Sequence, residues 1–184
     1  MKKIILFVML AGSVFAYQYD AKFYMGVGGA YQDESFTTDL DSTQTQNNPT
    51  VGILKFGYGD IKAYSIEILL NYVMIDQKVF SDDDNDKYGL DIAFVKAFNF
   101  SKYFYPYARA GFGGGEMKIK NAENNKLGFS SFNVGVGSYI PLFSHLELEV
   151  NYEYRFTSYE EVVQSQPGLQ SHINQLYVGI NTRF

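Results

Sequence analysis

The sequence predicts an all-β protein: an eight-stranded antiparallel up-and-down transmembrane β-barrel. Three observations point there. A two-residue alternation of apolar and polar side chains recurs eight times along the chain. The polar face of those strands is crowded with glycine and with charge. The connections between strands alternate between long and short.

The barrel is expected to begin after a targeting segment. Lys2 and Lys3 give a positive start, residues 4–10 are apolar, and Val14 and Ala16 are small residues at the positions a signal peptidase reads. Cleavage is therefore expected after Ala16, leaving residues 17–184 as the barrel domain. There is no cysteine, so the signal is not of the lipoprotein type and no disulfide staples the fold.

Each strand is read from its apolar face. The first, near 20–31, carries Phe23, Met25 and Val27. The second, near 51–59, carries Leu54, Phe56 and Tyr58, and the third, near 63–74, carries Tyr64, Ile66, Ile68, Leu70 and Tyr72. Leu90, Ile92 and Phe94 mark the fourth near 88–98, and Ala108, Ala110 and Phe112 the fifth near 105–114. The sixth, near 128–140, has Phe132, Val134 and Val136. The seventh, near 145–156, is the clearest: Leu146, Leu148, Val150, Tyr152, Tyr154 and Phe156 alternate with Glu147, Glu149, Asn151, Glu153 and Arg155. The eighth, near 175–184, has Leu176, Val178 and Ile180. After residue 16 no window is apolar for the roughly 18 residues that a membrane helix needs.

Glycine decides which face points inward. Gly26, Gly28, Gly57, Gly59, Gly89, Gly111, Gly113, Gly135, Gly137 and Gly179 share the polar faces. A solvated outer surface gives no reason for them, because each weakens a strand. The interior of a narrow eight-stranded barrel does, since small residues must sit beside large ones there. Lys55, Glu67, Asp91, Arg109, Glu147, Glu149, Glu153, Arg155 and Arg183 lie on the same face and must be inside, paired with one another or with trapped water. Counting outward from the turns, Lys55 faces Glu67 across a centre near Ile61, Asp91 faces Arg109 across Phe100, and Glu147 falls near Arg183. The leucines then face lipid, and only a closed barrel leaves no backbone group unsatisfied there. Tyr64 and Tyr72 bracket an apolar stripe as interfacial rings do.

The long connections are 33–50, 75–87, 115–127 and 157–174; the short ones are 60–62, 99–102 and 141–144. In a meander, all long loops emerge at one end and all tight turns at the other, the form of bacterial outer-membrane barrels. At this point the chain resembles the small eight-stranded outer-membrane barrels of the OmpA-transmembrane-domain and OmpX type. The stretch Tyr105-Pro106-Tyr107-Ala108-Arg109-Ala110-Gly111-Phe112-Gly113 is similar to a strand common in that family. The stretch Leu176-Tyr177-Val178-Gly179-Ile180-Asn181-Thr182-Arg183-Phe184 resembles the family's C-terminal signal for the outer-membrane assembly machinery. Gly179, Ile180 and Phe184 fit that signal, and Thr182 departs from it. The resemblance implies a bacterial outer-membrane location, with outer-membrane lipid, lipopolysaccharide and the assembly machinery as partners, and a monomer.

Catalytic, cofactor and metal sites are not indicated. Asp82, Asp84 and Asp86 have the spacing of a calcium loop, but Lys87 stands where that loop needs glycine and Ala93 where it needs glutamate. Residues 82–86 are thus expected to be a solvated acidic loop, with weak divalent-ion or lipopolysaccharide bridging as the alternative. His145 and His172 are the only histidines; each follows a serine, and adjacent strand residues point to opposite faces, so neither pair is set for proton transfer. The net charge of −5, with acids spread out, argues against nucleic acid. Three functions remain: a barrel scaffold displaying four extracellular loops for adhesion, surface interaction or envelope integrity; a narrow low-conductance channel; and a lipid-modifying enzyme. Eight strands leave a lumen of packed side chains, which favours the scaffold, with any host or surface ligand held by the loops.

Overall fold

A computed structural model describes residues 19–38, 41–74, 86–118, 126–160 and 169–184. The signal segment and parts of all four long connections, among them the acidic run 82–85, lie outside them. Nine strands form one antiparallel sheet: β1 (Lys22–Thr38), β2 (Asp41–Asn47), β3 (Thr50–Gly59), β4 (Tyr64–Met74), β5 (Lys87–Ala97), β6 (Tyr105–Lys118), β7 (Lys126–Pro141), β8 (Leu146–Tyr159) and β9 (Leu169–Arg183). Each strand pairs with the next of the barrel, and β1 pairs with β9, so eight of them close. The ninth, β2, folds back on the upper part of β1 from Glu34 to Thr38.

The first strand thus runs seven residues past its expected end near Tyr31. The stretch Asp33–Glu34–Ser35–Phe36 alternates as a strand does, but its polar composition reads as loop. Lys87 is corrected in the same way. Expected in the loop, it is the first residue of β5 and is buried. The sixth, seventh and ninth strands likewise extend above their expected ends, to Lys118, from Lys126 and from Leu169.

Register fixes the barrel's shape. Following cross-strand partners from Tyr24 leads through Gly57, Glu67, Ala93, Gly111, Asn133, Arg155 and Ile173, and returns to β1 at Glu34. One circuit therefore climbs ten residues, from 24 to 34. That stagger tilts the strands by about 40° and leaves an interior wide enough for side chains only.

The outward face is apolar from Phe23 and Tyr58, whose rings lie 4.7 Å apart near the turn end, to Tyr72 and Tyr88, 5.1 Å apart near the loop end. Ile66, Ile68, Leu70, Val134, Val136 and Ile180 fill the band between and are exposed. Aromatic rings at both rims of an apolar belt mark the two interfaces of a bilayer. Lys96 is the exception on this face. It sits at the lower rim with its ammonium 3.8 Å from the centre of the Tyr64 ring, which lets a charge stay near water.

Inward, glycines admit neighbours that a methyl group would displace. A Cβ on Gly137 would lie 2.5 Å from the Tyr107 ring, and one on Gly28 equally close to the Tyr177 ring. Gly137→Ala is therefore expected to destabilise the barrel by about 1–3 kcal/mol, the usual cost of overpacking. Denaturant unfolding in lipid vesicles measures it. The interior also holds an apolar wall that the glycine-and-charge pattern did not reveal. Ala30, Val51, Ile53, Leu69, Val73, Ala93 and Tyr177 pack together on the β1–β3–β4–β5–β9 side.

Candidate functional site

The lumen is filled in storeys. At the turn end, Asp60 is buried and accepts the backbone N–H of Lys62 at 2.8 Å and that of Asp20 at 2.9 Å. It closes the first tight turn and ties the N-terminal segment to it. Tyr19, outside the spanning strands, donates its hydroxyl to the Tyr64 carbonyl; partial burial and the Asp60 carboxylate raise its pKa above the ordinary value. Just above, Arg183 pairs with Glu147, and its guanidinium lies 4.3 Å from the centre of the Tyr24 ring.

The next storey is the densest. Lys55 is fully buried and donates to both oxygens of Glu149 at 2.6 Å. Glu149 also accepts from Tyr107 at 2.5 Å and Asn181 at 2.9 Å. Glu67 lies 3.4 Å from the same ammonium and accepts from Tyr24 at 2.7 Å and Tyr139 at 2.9 Å. Arg109 stands 3.9 Å from Glu67 and 3.5 Å from Glu153. Its Nε and Nη2, like both amide atoms of Asn133, have no hydrogen-bond partner among the described residues; buried water ordinarily serves such groups.

Above this, Arg155 donates to Asp91 at 2.6 and 3.1 Å and to Glu153 at 2.9 Å, while Asn71 donates to Asp91 at 2.6 Å. At the loop end, Lys87 donates to Tyr159 at 2.7 Å and to Glu34 at 3.2 Å, and Ser171 donates to Glu34 at 2.7 Å. Phe36, Met117, Leu127, Phe129 and Tyr159 close over this pair as a second core above the aromatic rim.

Every charged residue expected inside is buried here, but the partners differ from those counted off the turns. Glu147 and Arg183 do meet. Lys55 and Glu67 do not share one height: Gly57 is opposite Glu67, and Leu69 is opposite Lys55, so their contact is diagonal and secondary to Glu149. The expected pair of Asp91 and Arg109 is corrected. Gly113 is opposite Asp91 and Val95 is opposite Arg109, and each charge is taken by a residue of β8 instead. The barrel is narrow enough that long side chains reach across it, which hairpin counting ignores. Glu34 and Lys87 escaped the sequence altogether, because both stood in segments read as loop.

Above Asp60, which is satisfied by backbone N–H groups, six buried carboxylates (Glu34, Glu67, Asp91, Glu147, Glu149, Glu153) meet five buried cations (Lys55, Lys87, Arg109, Arg155, Arg183) among the described residues. The near balance is what burial demands, because a lone buried charge costs several kcal/mol while a paired one need not. His172 lies on the outer wall with its Nδ1 2.6 Å from the Tyr154 hydroxyl, whereas Ser171 is engaged with Glu34 inside. The wall of the barrel separates that serine from that histidine.

A closed barrel with an apolar belt outside and a filled polar lumen is a transmembrane β-barrel. The model of one family, the outer membrane protein beta-barrel domain, matches residues 4–184, and the chain belongs to that family. As a member of that family it resides in the bacterial outer membrane. Neisserial surface protein A is similar at a TM-score of 0.64 and 14% identity, over 90% of this chain and 99% of that one. Ail, the attachment invasion locus protein of Yersinia pestis, solved with the heparin analogue sucrose octasulfate, has a TM-score of 0.57 and 16% identity, with 90% and 99% covered. OprG from Pseudomonas aeruginosa has a TM-score of 0.53 and 13% identity over 91% of this chain and 97% of that one. At these identities the likeness is one of fold. No curated protein matches the sequence.

Proposed function

We propose that this barrel is a sealed scaffold whose work is done by its extracellular loops, in attachment or another surface interaction. One observation supports this above the rest. The apolar cap of Phe36, Met117, Leu127, Phe129 and Tyr159 stands over the buried Lys87–Glu34 pair, beyond the aromatic rim, and braces the bases of the loops. A pore has no use for an apolar lid on its wide end, whereas a display platform needs a rigid one. Ail gives a precedent for an attachment protein on this fold. Its sulfated ligand does not transfer readily, since Asp82, Asp83, Asp84 and Asp86 would repel a polyanion; a cationic or neutral partner suits this chain better.

The test has two arms. Cells bearing the intact barrel should adhere to a host-cell or abiotic surface, and deletion of residues 77–84 or 162–167 should abolish adhesion while the barrel still folds. Equal adhesion by all variants would overturn loop display. In planar bilayers the wild-type protein should give no large steady conductance, and Phe129→Ala combined with Tyr159→Ala should raise it. A large conductance in the wild type would favour the channel function.

We also propose that the last strand carries the assembly signal. Gly179 faces the lumen, Ile180 faces lipid, and Phe184 is exposed at the turn-end rim with its backbone N–H donated to the Phe23 carbonyl. Removing Phe184 should lower the folded yield in outer membranes more than removing a loop tip does. Equal yields on a heat-modifiable gel shift would count against it.

A further inference from the structure

Among the described residues, two grooves of similar size, about 500 and 510 Å3, lie on the outer wall. The second lies in the periplasmic half around Ala108, Val136 and Val150. The first lies in the extracellular half. Gly52 is its floor, Val27, Leu54 and Leu70 its lower wall, and Tyr72 and Tyr88 its upper lip. Gly52 has Gly29 opposite it on β1 and Tyr72 opposite it on β4, so two adjacent lipid-facing positions lack side chains.

These two glycines answer no packing demand. A Cβ at Gly52 would meet nothing nearer than 4.0 Å, and one at Gly29 nothing nearer than 3.8 Å, whereas at most lumenal glycines a Cβ would come within 3 Å of a neighbour. Their effect is to leave a depression in an otherwise filled apolar belt. The lip above it is polar. The Lys118 ammonium lies 5.3 Å from the centre of the Tyr88 ring, and no carboxylate pairs with it among the described residues. The neighbouring Lys126 is instead taken by Glu116 at 2.6 Å. Two acids stand at this lip: Glu116, opposite Tyr88 and already paired with Lys126, and Asp86, which accepts the Tyr88 hydroxyl at 3.4 Å.

We infer that the upper groove holds one acyl chain of lipopolysaccharide, the phosphorylated and multiply acylated glycolipid of the outer leaflet, with Lys118 on a head-group phosphate. Position supplies the leaflet: the groove lies under the rim nearest the long loops. Physics divides the labour between its parts. An acyl chain already in hydrocarbon gains only packing by entering a groove, so the groove fixes where a chain sits. Selection then falls to charge at the lip, where a cation shielded by an aromatic ring and by the bilayer acts more strongly than in open water. A lipid whose phosphates stand directly above several acyl chains satisfies both. The inference requires only the outer-membrane location and is independent of loop display.

Native mass spectrometry of the folded full chain in detergent tests it, with purified lipopolysaccharide lacking O-chains and phosphatidylglycerol as parallel probes. The wild type should retain one lipopolysaccharide after detergent exchange. Gly52→Leu should lower the retained fraction at least about tenfold, and Lys118→Gln about three- to fivefold, the worth of one partly shielded cation contact. Asp86→Asn should raise retention by removing a repelling acid. Ala108→Leu, which fills the lower groove, should change nothing. The inference is overturned if Gly52→Leu or Lys118→Gln retains lipid as the wild type does, or if phosphatidylglycerol is held equally well. Heat-modifiable mobility reports folding. Should Gly52→Leu fail to fold, Lys118→Gln decides alone, since its side chain lies outside the belt.

Discussion

Replacing Lys55 by methionine should destabilise the barrel by about 3–5 kcal/mol, the cost of breaking a buried ion pair. The size follows from what is stranded. Glu149 and Glu67 are both fully buried and both lie within 3.4 Å of that ammonium. Without it, Arg109 at 3.9 Å is the nearest remaining cation to Glu67, while Glu149 keeps only neutral donors, Tyr107 and Asn181. The double variant Lys55→Met with Glu149→Gln removes both halves of the main pair and should cost clearly less than Lys55→Met alone. Urea unfolding in phospholipid vesicles measures both. If the double variant is the less stable one, the lumenal pairs are not coupled as described.

The second large effect belongs to the outer wall. Ile68 lies midway along β4 between the rings of Tyr64 and Tyr72 and is 44% exposed. Ile68→Arg should destabilise by about 2–4 kcal/mol, the cost of a lipid-facing arginine at the bilayer midplane. The same substitution at Thr37, above the aromatic rim, should cost about 1 kcal/mol or less, because the cost falls away toward the interface. Comparable losses at both positions would mean that the depth of the belt is misplaced.

The face of each strand was legible because side-chain period is a strictly local property. Leu54 alternating with Lys55, or Leu148 with Glu149, needs no knowledge of any other strand. The partners were not legible, because they depend on diameter and stagger. Asp91 on β5 reaches Arg155 on β8, and Lys55 on β3 reaches Glu149 on β8, through the middle of the barrel. No count outward from a turn contains that distance. The cap at the loop end was hidden for another reason. Phe36, Met117, Leu127, Phe129 and Tyr159 continue the two-residue period past the lipid belt, but with polar residues on the opposite face, and a search for membrane strands stops where the outward face turns polar. Above the bilayer the apolar residues change sides, and that reversal was the available signal.

The seam between β1 and β9 has a consequence for how the chain comes to be. Tyr24 is paired with Arg183 and Thr38 with Leu169, contacts separated by more than a hundred residues of sequence. Loops that long are slow to close, and they lower the folding rate of any topology that depends on them. Until β9 arrives, β1 has an open edge that hydrocarbon will not accept. A partly made chain therefore has no stable resting place in the bilayer, and must be kept unfolded in water until its last strand is available. Truncation anywhere before Leu169 should yield no shorter barrel, only a substrate for periplasmic proteases.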